Sequence, residues 1–264
     1  MQNRCDAECL IRLEGITKTF PVEPHRATAY MTVRRQLTGQ RPSRRTFDAL
    51  RGINLVVYRG EKIGIIGDNG SGKTTLLKLI AGLYQPSSGR RFTRGEMALL
   101  AGLGTGMLAE LNVEENVFLY GAIYGLEREA IAMKLDGILE WAEIQDFQGA
   151  KLKTLSSGMK TRLAFSVTRH IDKDIYLLDE ALTAGDSNFR EKCGDVFRGY
   201  KASNKTFLVS THDQPFVSEF CEKTLWLHKG RPMAFGETER VLHQYQQSSL
   251  RLGCYGAKRT ARVL

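Results

Sequence analysis

No stretch of the 264-residue chain approaches the roughly 18 consecutive apolar residues that a helical membrane span requires, so no such span is expected. The first residues, MQNRCDAECLIRLEG, carry acids and lack the apolar centre of a secretory signal. Cysteines stand at 5, 9, 193, 221 and 254, and none forms a CxxC pair of zinc-site type. That absence points to a reduced, cytosolic chain with free thiols rather than to a disulfide framework. Internal repeats and coiled-coil heptads are missing as well, which removes solenoids and long helical arms. Finally, most of the chain lacks net charge. The formal excess of +9 lies in two segments: 21–47, with six arginines against Glu23, and 250–264, with Arg251, Lys258, Arg259 and Arg262 and no acid. A nucleic-acid-binding domain more often carries its basic stripe on the folded body, so no nucleic-acid partner is expected. Two basic appendages suit a membrane surface or an acidic partner, and equally suit solubilising flexible loops.

What is present has ordinary proportions, 42% apolar and 25% charged. Residues 9–20 alternate and read as a strand. Segment 21–47 is long for a hairpin connection and reads as a functional or partly disordered loop. LRGINLVVYRGEKIGIIG follows as a strand, a turn at Arg59-Gly60 and an apolar strand. Residues 73–82 form a predicted helix ending at Gly82, and YQPSSGR a turn. Helical spacing of Val113, Val117, Tyr120 and Tyr124, and of Ile131, Leu135, Ile138, Leu139 and Ala142, makes 112–170 largely helical. IYLL (175–178) and TFLVS (206–210) are short apolar runs without alternation, as in parallel strands buried on both faces. LWLHKGRPMAFG reads as a hairpin turning at Lys229-Gly230. The order predicts an α/β fold with an added helical subdomain.

GDNGSGKT, Gly67 to Thr74, fits G-x-x-x-x-G-K-[ST] between an apolar strand and a helix. Gly67, Gly70 and Gly72 let the backbone curl, so that the amides of Asp68, Asn69, Ser71 and Thr75 can turn toward phosphate oxygens at the positive end of the helix dipole. Lys73 can reach the β- and γ-phosphates, and the Thr74 hydroxyl suits Mg²⁺. ATP and Mg²⁺ are therefore the expected ligands. Downstream, DIYLLDEAL puts Asp179 at the C-terminal end of a buried strand, where it can support Mg²⁺. Glu180 is then free to act as general base toward water. His212 ends a further apolar strand. Alone it is an ordinary structural histidine; beside the other two motifs it is placed to meet a γ-phosphate.

LSSGM (155–159) resembles the signature loop, commonly L-S-G-G-Q, of ABC-type ATPases. Ser156 and Gly158 match; Ser157 and Met159 depart. The resemblance covers residues 8–247 and implies an ABC-type P-loop NTPase. Its parts would be a RecA-like α/β core, an N-terminal antiparallel β part with a basic hairpin loop at 21–47, and a helical subdomain over about 104–165. Residues 248–264 would be a short basic tail. It further implies that Asp186 is the D-loop aspartate, that His212 is the switch histidine and that Phe20 stacks on adenine. In such proteins the signature loop acts on ATP held by a second copy, so a homodimer is implied. The glutamine usual at the entry to the helical subdomain is missing; Leu103 or Gly104 stands there.

Together, GTGM (104–107), the L-x-x-x-E-N of 111–116, SSGMKTRLAF and DEALTAGDSNFREKC (179–193) look like the ATPase subunits of bacterial polysaccharide exporters. That resemblance implies two copies of a separate membrane permease and a lipid-linked O-antigen or capsular polysaccharide as cargo. It also implies a peripheral place on the cytoplasmic side of the inner membrane. Because the chain stops soon after the ATPase domain, it is expected to fall with members that lack an appended carbohydrate-binding domain. The competing reading is an ABC-type ATPase of another class, whether a teichoic acid or other exporter or a non-membrane protein. The basic loop 21–47 is expected near the membrane interface or the anionic end of the glycan.

Overall fold

Apolar and polar residues alternate over Cys9–Pro21 and Thr46–Tyr58, and these form the long strands β1 and β2. They pair antiparallel, with Ile11 opposite Val57, Leu13 opposite Leu55 and Ile16 opposite Ile53, so one face of the ribbon is a continuous apolar surface. The computed structural model describes residues 8–22, 45–179 and 187–248. Pairing of the two strands runs to Pro21 and Thr46, and the Val22 amide donates to the Arg45 carbonyl at 2.7 Å. Residues 23–44, most of the expected basic hairpin loop, lie outside the described ones. So do Glu180, Asp186 and the tail 249–264.

After the turn at Arg59-Gly60 come β3 (Lys62–Ile66), helix α1 (Lys73–Ile80) and β4 (Ser88–Thr93). β4 adds to β1 on the side away from β2. It begins inside the predicted turn YQPSSGR, which the structure therefore shortens. SGRRFT has no apolar periodicity; backbone pairing to β1 makes it a strand, and its exposed Arg90 suits a sheet edge. β5 (Met97–Ala101), β6 (Ile175–Asp179), β7 (Thr206–Ser210), β8 (Lys223–His228) and β9 (Arg231–Glu237) complete a six-stranded sheet. Its order is β5-β6-β7-β3-β8-β9, parallel except for β9. The β8–β9 turn falls at Lys229 and Gly230, both with positive φ, as the hairpin reading predicted.

The missing alternation in the central strands now has its physical reason. Successive residues enter two different cores. Ile63, Ile65, Leu177, Leu208 and Leu225 face the antiparallel sheet and α1. Tyr176, Leu178, Phe207, Val209 and Trp226 face the opposite layer. That layer is built from α5 (Ser187–Ala202), α6 (Gln214–Phe220) and a helix α7 over residues 238–248. α7 docks through Val241 and Leu242, both buried.

Between β5 and β6 stands the helical layer: α2 (Val113–Ile123), α3 (Arg128–Ala142) and α4 (Ser157–Thr168), with single 3-10 turns at Gln145–Phe147 and Leu152–Thr154. Asn112 and Glu115 form a capping box on α2, a device worth about 1 kcal/mol. A Cβ on Gly121 would lie 2.6 Å from Ile131 Cδ1, so the glycine leaves room for the Ile131 side chain between α2 and α3. The layer has its own core, with Val117, Tyr120, Ile131, Leu139 and Leu163. Leu103, Tyr124 and Leu126 pack against both this core and that of the sheet, and so join the two bodies.

Candidate functional site

The phosphate loop runs from the end of β3 into α1. Gly67 has φ 145, and a Cβ there would lie 2.1 Å from the Leu227 carbonyl oxygen. Gly72, at φ 108, would put a Cβ 2.7 Å from the Ala49 carbonyl oxygen. Both glycines are required by backbone close behind them, contributed by β8 and β2. Gly70 differs from these two. It is exposed at the rim of the loop, and a Cβ there would meet nothing within 4 Å. What calls for glycine at 70 is its φ of 76, the left-handed bend that turns the loop, and not any close approach. Gly72 caps α1 in the left-handed region and offers no side chain to the first-turn amides. Those amides face outward with the dipole, an anion-binding end. The Lys73 side chain is buried at 5% exposure, and its ammonium donates to the carbonyls of Gly67 at 2.8 Å and Asp68 at 3.2 Å. It lies inside the loop's own curve. Ser71 Oγ is buried too and has no hydrogen-bond partner among the described residues. A cradle of amides with an enclosed ammonium and an unsatisfied buried hydroxyl fits a phosphate chain. In front of it opens a cavity of about 500 Å³, bounded by residues 69–75, Gly70 among them, on one side and by Phe47 and Ala49 on the other.

β6 delivers Asp179 to the same place. Asp179 Oδ1 accepts from Thr74 Oγ1 at 3.1 Å and from Ser210 Oγ. Ser210 lies directly beside Asp179 in the parallel ladder. Two hard oxygens side by side, a hydroxyl and a carboxylate, fit Mg²⁺ that takes its remaining ligands from phosphate and water. No cluster of three or more His, Cys, Asp or Glu side chains of metal-site type occurs among the described residues. Ser210 escaped the sequence reading, since a serine ending an apolar strand carries no signal until its neighbour in the sheet is known. His212 follows two residues later, exposed, at the same end of the sheet.

Phe20, expected to stack on adenine, is not among the residues that border this cavity. Phe20 packs edge-on against Tyr84, with ring centroids 5.4 Å apart, and the Lys18 ammonium stands 5.0 Å from its ring. The aromatic that borders the cavity is Phe47, the residue opposite Phe20 in the β1–β2 ladder and half exposed. Ser156 is the N-cap of α4, its Oγ accepting from the Met159 amide at 3.2 Å. Ser156, Ser157 and Gly158 are all exposed, so this end of α4 is open to solvent. The structure thus gathers Gly67–Thr75 and Asp179 into one site and leaves 156–158 as an open helix end on the other layer.

In place of the missing glutamine, the chain makes a tight glycine-rich loop. The Gly104 amide donates to the Tyr120 hydroxyl at 3.2 Å, and Leu103 packs between the two cores. Asn116, fully buried, accepts from the Leu108 amide at 2.7 Å and donates to the carbonyls of Leu108, Leu111 and Asn112. An amide side chain thus ties down the segment that lacks regular structure.

Comparison with known proteins agrees with this geometry. Residues 50–183 match the family described as ABC transporter. The ABC transporter protein AbcA of Aeromonas salmonicida is 37% identical over 243 residues, covering 91% of this chain and 77% of the relative. The O-antigen export system ATP-binding protein RfbB of Myxococcus xanthus is 36% identical over 243 residues, covering 90% of this chain and 56% of the relative. The teichoic acids export ATP-binding protein TagH of Shouchella clausii is 39% identical over 206 residues, covering 78% and 57%. The chain therefore spans little more than half the length of the last two. Among solved structures, the dimeric post-hydrolysis state of the ATP-binding cassette MJ0796 bound to ADP and Pi superposes with a TM-score of 0.69. It shares 23% identity and covers 87% of this chain and 99% of that one, a likeness of fold.

Proposed function

The chain belongs to the ABC transporter family, and on that footing we propose that it is the ATP-binding subunit of a polysaccharide exporter. It binds ATP between two copies of itself and hydrolyses it to drive a separate membrane permease. The observation that carries the nucleotide reading is the enclosed Lys73 ammonium within the glycine loop, together with the Thr74–Asp179 oxygen pair that joins the same loop to β6. The relatives' names support the cargo class, a lipid-linked glycan of the O-antigen, capsular or teichoic acid kind. In this reading the permease is a separate protein and the chain sits peripherally on the cytoplasmic face. No described helix is long and apolar enough to cross a membrane.

Each residue has a task. Loop amides 68–75 hold the phosphates, and Lys73 exchanges its present carbonyl partners for phosphate oxygens. Thr74 and Asp179 hold Mg²⁺, which when bound neutralises developing charge on the phosphates. Glu180 takes the proton of the attacking water, His212 meets the γ-phosphate, and Asp186 lies at the seam between copies. Ser156, Ser157 and Gly158 of each copy turn their helix end toward the ATP of the other. Glu180→Gln should lower turnover by about 10²–10⁴-fold while ATP binding and an ATP-dependent dimer persist. Hydrolysis at the unaltered rate would overturn the assignment of the base. For the cargo, ATPase activity of the chain reconstituted with its permease should rise with the matching lipid-linked glycan. A rate indifferent to every such glycan would reject the export reading.

A further inference from the structure

Asp68 places a carboxylate on the phosphate loop, the element that has to accept a polyanion. Its surroundings answer that charge. Oδ1 accepts from the Tyr245 hydroxyl at 3.3 Å, and Oδ2 lies 3.5 Å from His228 Nδ1. Tyr245 comes from α7, far along the sequence, and His228 from the end of β8. The Tyr245 ring is held edge-on to the largely buried Trp226, centroids 5.5 Å apart, so the hydroxyl is presented from a fixed position. Burial and the facing carboxylate hold the Tyr245 hydroxyl above the ordinary phenol range, which keeps it a donor. The Asp68 backbone matters equally. Its carbonyl accepts from the Ser71 amide at 3.1 Å and from the Lys73 ammonium at 3.2 Å. From below, the Gly230 amide donates to the Ser71 carbonyl at 2.9 Å.

The geometry points to Tyr245 as a positioning residue for nucleotide binding: through Asp68 it ties the C-terminal helix to the phosphate loop. Two effects act in the same direction. The hydrogen bond fixes the Asp68 side chain, and with it the peptide whose carbonyl organises Ser71 and Lys73. It also draws the carboxylate's charge toward a donor and away from incoming phosphates. Because coupling is reciprocal, nucleotide binding in turn tightens the docking of α7.

This rests on the phosphate loop being a nucleotide site, and the test separates the two. Tyr245→Phe keeps the ring on Trp226 and removes only the hydroxyl. With fluorescent ATP or ADP as the probe, it should raise the dissociation constant about 3- to 10-fold, the worth of one exposed charge-assisted hydrogen bond. The rate at saturating ATP should be unchanged, a KM effect without a kcat effect. In an Asp68→Ala background, which removes the acceptor, the same substitution should add nothing. In the parent protein ADP should slow hydrogen exchange of amides 240–248, and in Asp68→Ala it should not. If Tyr245→Phe binds like the parent, or if its loss persists in Asp68→Ala, the coupling is wrong. If the parent protein binds no nucleotide, the reading of the site itself has failed instead.

Discussion

Ser210→Ala isolates the support of Asp179. Ser210 is fully buried at the end of β7, and among the described residues its hydroxyl is one of two donors to Asp179 Oδ1; the other, Thr74 Oγ1, comes from the phosphate loop. A hydrogen bond to a charged group contributes about 1.5–3 kcal/mol. Asp179 is half-buried and can recruit water in place of the lost hydroxyl, which favours the lower part of that range. At about 1.4 kcal/mol per factor of ten, the loss corresponds to roughly 10- to 30-fold, within the range usual for deleting a partner that orients a metal ligand. The loss should fall on the metal. The Mg²⁺ concentration giving half-maximal ATPase rate should rise by that factor. Binding of ADP without Mg²⁺ should stay within twofold of the parent, since the loop amides and Lys73 are untouched. The assay is a Mg²⁺ titration of hydrolysis at fixed ATP, paired with calorimetry of ADP in chelator. An unchanged Mg²⁺ midpoint, or a loss of equal size for metal-free ADP, would refute the argument that Ser210 acts through Asp179.

Other perturbations test other links. Gly67→Ala forces a Cβ to within 2.1 Å of a backbone carbonyl; it should cost about 1–3 kcal/mol of stability in a denaturant titration and abolish nucleotide binding. Phe47→Ala should weaken ATP more than Phe20→Ala, because Phe47 borders the cavity and base stacking on an aromatic is worth about 1–3 kcal/mol. Fluorescent ATP titration decides, and the reverse order would favour the assignment to Phe20. Asn116→Ala takes the acceptor from the Leu108 amide and one donor each from the carbonyls of Leu108, Leu111 and Asn112, and should destabilise by about 1–3 kcal/mol in thermal unfolding while speeding proteolysis of 102–111. The Arg59 guanidinium, and then the Glu96 amide, hold the Asp174 carboxyl below the usual carboxylate range. Its contribution to stability is therefore full above about pH 4 and disappears as pH falls through the lowered value. The stability gap between the parent and Asp174→Asn, measured by urea denaturation, should close below about pH 4 and stay constant from pH 5 to 7.

Much of this protein is local, and local chemistry can be read along the chain. Gly67–Thr74 declares a phosphate loop because glycine alone tolerates the positive φ and, at 67 and 72, the close backbone. Asp179 is found because an apolar strand must end before a carboxylate. The α2 and α3 stripes repeat with helical period, and Lys229-Gly230 marks a tight turn by its conformational demands. What escaped depends on partners distant in sequence. β4 has no periodicity of its own and is a strand only because β1 pairs with it. α7 was missed, although Val241, Leu242 and Tyr245 are spaced for one helical face. Ser210 acquires a role only beside Asp179 in the ladder, and Phe47 only by facing the loop across β2. Tyr245 and Asp68 are 177 residues apart and meet because the sheet brings β8 under the phosphate loop and α7 follows β9. Fold class and phosphate chemistry could be read from the chain alone, since they follow from spacing and backbone allowance. Which side chains orient that chemistry was settled only in three dimensions, since hydrogen bonds and packing depend on distance in space, which spacing along the chain does not measure.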